Sequence, residues 1–160
     1  MEVGLAFLEQ RALSLATVLL TRHPNVIVLS PSYDVGYDLE VRIASGGVFR
    51  GRMFAIELKA RRALGDIGIR TDPLHVKLKE PLRRTLSDGM KRLKDLPFPL
   101  LYMVFAMDTD RAFFGWLREP ETTKVKLGTP PVGIAESWSD QTHRRIVDRV
   151  EAWYEKRALG

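Results

Sequence analysis

The chain contains no cysteine. That excludes disulfides, thiolate metal sites and a cysteine nucleophile. Its three histidines lie far apart and show no zinc-ligand spacing. No apolar run is long enough to span a membrane. The N-terminal apolar stretch is broken by Glu2, Glu9, Gln10 and Arg11, so it does not read as a signal peptide. The expectation is a cytoplasmic protein with no membrane role. Internal repeats, low-complexity tails and Gly-rich phosphate loops are missing too. Ser45-Gly46-Gly47 reads as a turn, not a nucleotide site. What remains is 160 residues, 45% hydrophobic and 28% charged, which suits one domain able to bury a core.

Two short runs flank that turn. Gly36-Tyr37-Asp38-Leu39-Glu40-Val41 precedes it, and Phe54-Ala55-Ile56-Glu57-Leu58-Lys59-Ala60 follows it. Together they predict a β-hairpin. Residues two apart in a strand share a face. Glu57 and Lys59 therefore point one way, and Phe54, Ile56 and Leu58 the other. On the first strand Leu39, Val41 and Ile43 form the apolar face, so Asp38 and Glu40 point away from it. A turn centred near Gly47 and Val48 sets Asp38 opposite Glu57. Two carboxylates and an ammonium then converge on one patch. Magnesium prefers oxygen ligands, takes one or two carboxylates and keeps several waters. A lysine beside it can orient water or offset charge on a phosphate. The plainer reading of the same residues is a cross-strand salt bridge on a solvated sheet face.

The order of elements around the hairpin adds context. Met1 to Thr21 has apolar residues at helical spacing, and His23-Pro24-Asn25 ends that helix. Val26 to Leu29 is a short apolar strand. Glu80-Pro81 opens a second helix with Leu82, Leu86, Met90 and Leu93 on its apolar side, broken from Asp95 to Pro99. Leu100 to Met107 has the continuous apolar pattern of a strand covered on both faces. Helix, three strands, helix, strand is the predicted order.

With Asp38 at the start of the second strand and Glu57-x-Lys59 on the third, this order resembles the PD-(D/E)XK nuclease superfamily. Asp34-x-Gly36-x-Asp38, Ile56-Glu57-Leu58-Lys59, and Pro97-x-Pro99 before an apolar strand and Trp116 are similar to a bacterial domain group of unknown function within it. The resemblance covers about residues 1–118; Tyr37 stands where the motif often has proline. It implies a restriction-endonuclease-like αβββαβ core with a mixed sheet flanked by helices. It also implies magnesium- or manganese-dependent cleavage of nucleic acid, with DNA the expected substrate before RNA. Asp38, Glu57 and the main-chain carbonyl of Leu58 would hold the metal, and Lys59 would be the catalytic lysine. A non-cleaving nucleic-acid-binding or assembly module of the same fold is the alternative.

Many members of the superfamily carry a glutamate on the first helix near the metal. Glu9 is the candidate here, ahead of Glu2, seven positions away on the same helical stripe. The plainer reading of Glu9 is a boundary residue whose carboxylate reaches water. Asp34 is a further candidate, or else a turn residue bonding its own backbone.

Positive charge is uneven. Of a formal net charge of +5, the segment from Arg61 to Lys94 carries ten Lys or Arg against four acids, so the remainder is slightly negative. A basic cluster beginning two residues after Lys59 suggests phosphate binding. Arg61, Arg62, Lys77, Lys79, Arg83 and Arg84 are the candidate contacts. His75, Lys77 and Lys79 alternate with Leu74, Val76 and Leu78, which predicts three donors on one edge or face. The alternative is a solvated helix surface.

Ala63 to Pro73 reads as a loop. The final third, a C-terminal extension from about residue 119 to 160, is expected to add strands and a helix. Ala112 to Leu117 pairs with the Leu100–Met107 strand, Thr122 to Leu127 forms an edge strand, and Pro130-Pro131 and Gly133 are connectors. Ser139-Asp140 caps a helix from Gln141 to about Ala158. Its apolar stripe, Ile146, Val150, Trp153 and Tyr154, packs on its own sheet or leaves a homodimer open. Trp116 and Trp153 suit core packing better than base stacking. A single α/β domain over residues 1–160 is the expected architecture.

Overall fold

The computed structural model describes residues 3–159, so Glu2 lies outside the described residues. Helix α1 (Val3–Leu20) is followed by β1 (Val26–Leu29), β2 (Leu39–Ser45) and β3 (Val48–Arg61). These strands form an antiparallel meander. Helix α3 (Glu80–Arg92) leads through Pro97 and Pro99 into β6 (Leu100–Ala106), which lies parallel to β3. Strand β7 (Arg111–Glu121) returns antiparallel to β6, and helix α4 (Asp140–Leu159) closes the chain. Ser139 caps α4, its hydroxyl accepting from the Thr142 amide at 3.1 Å.

The expected loop from Ala63 to Pro73 is not a loop. It holds a single helical turn, α2 (Leu64–Ile67), and an edge strand, β4 (Gly68–Asp72), which forms a hairpin with β5 (His75–Leu78). Alternation could not reveal β4, because only its first residue, Gly68, is buried. Gly68 answers to a close approach: a Cβ there would lie 2.0 Å from the Lys77 carbonyl oxygen. Two further corrections concern the extension. Thr122 to Val125 form a turn, with Val125 at φ +50°, so the expected edge strand shrinks to β8 (Lys126–Gly128). A short strand without a sequence signal, β9 (Ile134–Ser137), bridges β7 and β5.

Among the described residues the result is an α/β protein whose mixed nine-stranded sheet has the order β1-β2-β3-β6-β7-β9-β5-β4, with β8 on β7 and one parallel pair. Helices cover both faces. On one, Ala12, Ala16 and Leu20 of α1 and Ile146, Val147 and Val150 of α4 pack on Val41, Phe54, Ile56, Met103 and Phe105. On the other, Leu82, Leu86 and Met90 of α3 pack on Ala55, Tyr102 and Val104. Trp153 is buried at 2% exposure, its indole N–H donating to the Lys126 carbonyl. Trp116 is partly buried beneath the Arg149 guanidinium. Among the described residues, no helix is long and apolar enough to cross a membrane.

Candidate active site

The β2–β3 hairpin sets the site's register. Gly46 and Gly47, at φ +59° and +77°, make a two-residue turn between Ser45 and Val48, one position earlier than expected. A bulge compensates. Ile43 alone on β2 faces Arg50, Gly51 and Arg52 on β3, with Gly51 at φ +77°. Beyond the bulge, Leu39 pairs with Ile56, so Asp38 stands at the level of Glu57.

Strand β2 starts at Leu39, while β3 runs on to Arg61. Past Ile56, the β2 side of β3 therefore lacks a strand partner. Asp38 fills the first step of that fork. Its amide donates to the Ile56 carbonyl at 2.9 Å, and its Oδ2 accepts from the Leu58 amide at 2.7 Å. N–H and C=O of one strand residue point to the same side, so the Leu58 carbonyl faces the fork beside the Asp38 carboxylate. A tight turn delivers Asp38: Gly36 sits at φ +90°, its amide donating to Asp34 Oδ1 at 2.9 Å. A Cβ on Gly36 would meet Leu93 Cδ2 at 2.5 Å, so this glycine also lets the loop rest on the end of α3.

Glu57 and Lys59 lie on the α3 side of β3, opposite Ile56 and Leu58. This face is not solvated at Glu57, which is only 5% exposed. Glu57 Oε1 is 3.0 Å from Lys59 Nζ. Glu57 Oε2 is buried and has no hydrogen-bond partner. Gly89 of α3 lies above it, and a Cβ there would come within 3.5 Å of both carboxylate oxygens. Leaving a buried carboxylate oxygen unpartnered is costly. That orphaned oxygen, with an exposed carboxylate at the same level of the sheet and a main-chain carbonyl lining the same cleft, makes an oxygen-only donor set of the kind a hard divalent cation takes. The residues present therefore fit the implied magnesium or manganese.

Asp38, Glu57, Leu58 and Lys59 all line one cleft of about 1230 Å³ between α1, the β1–β2 loop and the C-terminal ends of β3 and α3. Glu9 and Asp34 line it as well. Glu9 is exposed, its carboxylate reaching water, and Asp34 acts as the turn residue described above. Among the described residues, no three His, Asp or Glu side chains converge as a metal-binding group. Glu40 shares Asp38's face but is engaged elsewhere. It accepts from the Tyr37 hydroxyl at 2.8 Å and from Arg42 at 3.2 Å. Burial first, and then this bond, push the Tyr37 hydroxyl up to about 12, so it stays protonated.

The basic candidates divide. Arg61 lines the cleft; Arg62 does not, its guanidinium lying against α1 at Gly4. Lys77, Lys79, Arg83 and Arg84 are away from it. Lys77 is exposed on β5, four strands along the sheet from β3. Lys79 continues the alternation of His75 and Lys77, extended and exposed after buried Leu78, and is also the residue capping α3. Arg83 and Arg84 both pair with Glu80 on the first turn of that helix. The cleft instead meets the other end of α3, at Arg92 and Leu93, about 12 Å along the axis at 1.5 Å per residue. The basic cluster thus divides between the cleft, at Arg61 and Arg92, and the start of α3, around Lys79, Arg83 and Arg84. Arg92 stood within that cluster without a distinguishing signal. Gly89 did carry one, since a glycine inside a helical pattern usually has a packing or functional reason.

No family model, curated protein or solved structure matches this chain.

Proposed function

We propose that this chain is a metal-dependent nuclease that hydrolyses phosphodiester bonds of nucleic acid, DNA before RNA. Its fold would be the restriction-endonuclease-like αβββαβ core, with the β4–β5 hairpin inserted between the third strand and α3. The observation that carries the reading is Glu57: a buried carboxylate at a cleft, one oxygen held by Lys59 and the other without a partner. Asp38, Glu57 and the Leu58 carbonyl would hold the cation. When bound, magnesium or manganese supplies Lewis acidity toward a phosphoryl oxygen and lowers the pKa of its water.

The chain's own residues do the rest. Lys59, fixed by its ion pair, presents an ammonium where negative charge grows on the phosphoryl group. Its protons also orient a water. Arg61 and Arg92 draw the phosphate into the cleft. Asp38 is held by the Leu58 amide in the position its role requires.

One observation favours the non-cleaving alternative: no third acid joins the pair as a metal-binding group among the described residues. Magnesium nonetheless manages with one or two carboxylates. Cleavage separates the two readings. The parent protein should cut in magnesium or manganese and stay inert in EDTA. Calcium should support binding without cutting. Residual cutting equal in the parent and in Lys59→Ala would assign the activity to a contaminant and leave the binding module.

A further inference from the structure

The cleft has a second character beside its acid pair. Tyr33, on the β1–β2 loop, is 75% exposed, and Leu5 of α1 is 50% exposed; both line the cleft, as does the partly buried Leu8. Large apolar groups left in water around a polar site mark a surface that binds something apolar. The charges point the same way. Lys59, Arg61 and Arg92 face four lining carboxylates, Glu9, Asp34, Asp38 and Glu57, so the cleft is no track for phosphates alone. Duplex binding draws on many cationic phosphate contacts and on groove edges, and a duplex keeps its base faces stacked inside. An exposed phenol ring and a leucine wall have nothing to meet there. They suit the face of an unpaired base, the contact by which single strands are held.

Resting on the nuclease reading above, we propose that the cleft takes a single-stranded segment of nucleic acid. One base stacks on Tyr33 against Leu5 and Leu8 while the adjoining phosphodiester faces Asp38, Glu57 and Lys59. Tyr33 sets the preference for unpaired substrate, and Arg61 and Arg92 supply the modest phosphate attraction.

Fluorescence anisotropy of the full chain in calcium tests this with three probes of equal length: a dT oligomer, its duplex with dA, and an abasic strand of the same charge. The dT strand should bind about tenfold or more tighter than the abasic strand, and tighter than the duplex. Tyr33→Ala should weaken dT binding by about five- to hundredfold, Tyr33→Phe should restore it, and abasic binding should not change. Because Tyr33 is exposed, its loss does not threaten the fold. Equal binding of the dT and abasic strands, or no effect of Tyr33→Ala, overturns the proposal. If Lys59-dependent cleavage of duplex persists in that case, the nuclease reading stands alone. If no probe binds and nothing is cut, both fall, and the apolar wall belongs to a protein or lipid partner instead.

Discussion

Among the described residues, Glu57 at the cleft and the His143–Trp138 pair both bury polar atoms without partners, as Arg118 Nε on β7 also does, and the first two do so in opposite circumstances. At the cleft the orphan is Glu57 Oε2, a buried carboxylate oxygen on a residue that pairs with the Lys59 ammonium and shares the cleft lining with Asp38. At the start of α4 the orphans are neutral. His143 is 1% exposed with Nε2 unpartnered, wedged between His23 and Trp138, whose indole nitrogen is likewise unpartnered. The first arrangement can be completed from outside by a cation. The second is closed by aromatic rings and can only be tolerated. Burial, with His23 adding to it, holds the His143 imidazole down to about 4, so it stays neutral and acts as a packing group. An unsatisfied atom is therefore no pointer to function by itself; at Glu57 it is the neighbouring ammonium and the cleft that give it chemical meaning.

Substitution at the two regions should separate them sharply. The largest effect belongs to Lys59→Ala, expected to reduce single-turnover cleavage per folded molecule by about 10²- to 10⁴-fold with nucleic-acid affinity nearly intact. It should also lower the melting temperature, because it strips the buried Glu57 carboxylate of its ammonium partner. Cleavage that falls no further than the folded fraction does would move Lys59 from chemistry to structure.

Next comes acid. The unfolded state takes up the His143 proton near 6.5 and the folded state only near 4, so stability present above 6.5 is lost as pH falls through that window. The loss should amount to about 2–3 kcal/mol, read by urea melts at several pH values. His143→Phe should flatten this slope and leave cleavage at neutral pH unchanged. An unaltered slope would show that other groups carry it.

A third comparison uses the dual role of Asp38. Asp38→Ala removes the acceptor for the Leu58 amide and should cost about 1 kcal/mol of stability together with all turnover. Asp38→Asn keeps a carbonyl oxygen for that amide, so it should retain the stability but not the turnover. Calorimetry beside a cleavage assay reads both.

The smallest effect is at Gly89. Alanine there should gain up to about 1 kcal/mol from helix propensity, because its methyl makes only ordinary contact with Glu57. It should also diminish the rise in melting temperature on adding manganese, by covering the orphaned oxygen. A destabilised Gly89→Ala would mean that α3 sits tighter on β3 than that contact allows.

Much of the site's frame could be read from the residues. Parity alone separated Glu57 and Lys59 from Ile56 and Leu58, because strand alternation leaves no choice once one face is buried. Asp38 reached the level of Glu57 although the turn lies one position earlier than expected, since the bulge at Gly51 makes up the difference. Turn and bulge are separate local choices, and only their sum mattered to the pairing. The β4–β5 hairpin and β9 were not legible. Their strands are short, β4 is almost wholly exposed, and β9 gains its order from β7 and β5, far away in sequence. That four of the basic candidates lie off the cleft was not legible for a related reason. Lys77, Lys79, Arg83 and Arg84 are close along the chain but belong to a strand, a helix cap and a first helix turn, none of which lines the cleft. Tyr33 offered no periodic pattern at all; only its exposure and its place on the cleft wall distinguish it.

The single parallel pair has a consequence for the order in which the molecule assembles. Strands β1, β2 and β3 are joined by short connections, and their hairpins can form from local contacts. The partners of β3 on β6 lie 45 positions along the chain, Ala55 with Leu100 through to Arg61 with Ala106. Closing so long a loop is slow relative to closing a hairpin. Asp38 and the Leu58 amide can thus meet early, within the hairpin. Glu57 loses its water only when β6 and α3 arrive. The carboxylate burial that marks the site should then follow the hairpin in folding, and a nascent chain carries half a site that is still hydrated until the parallel pair has formed.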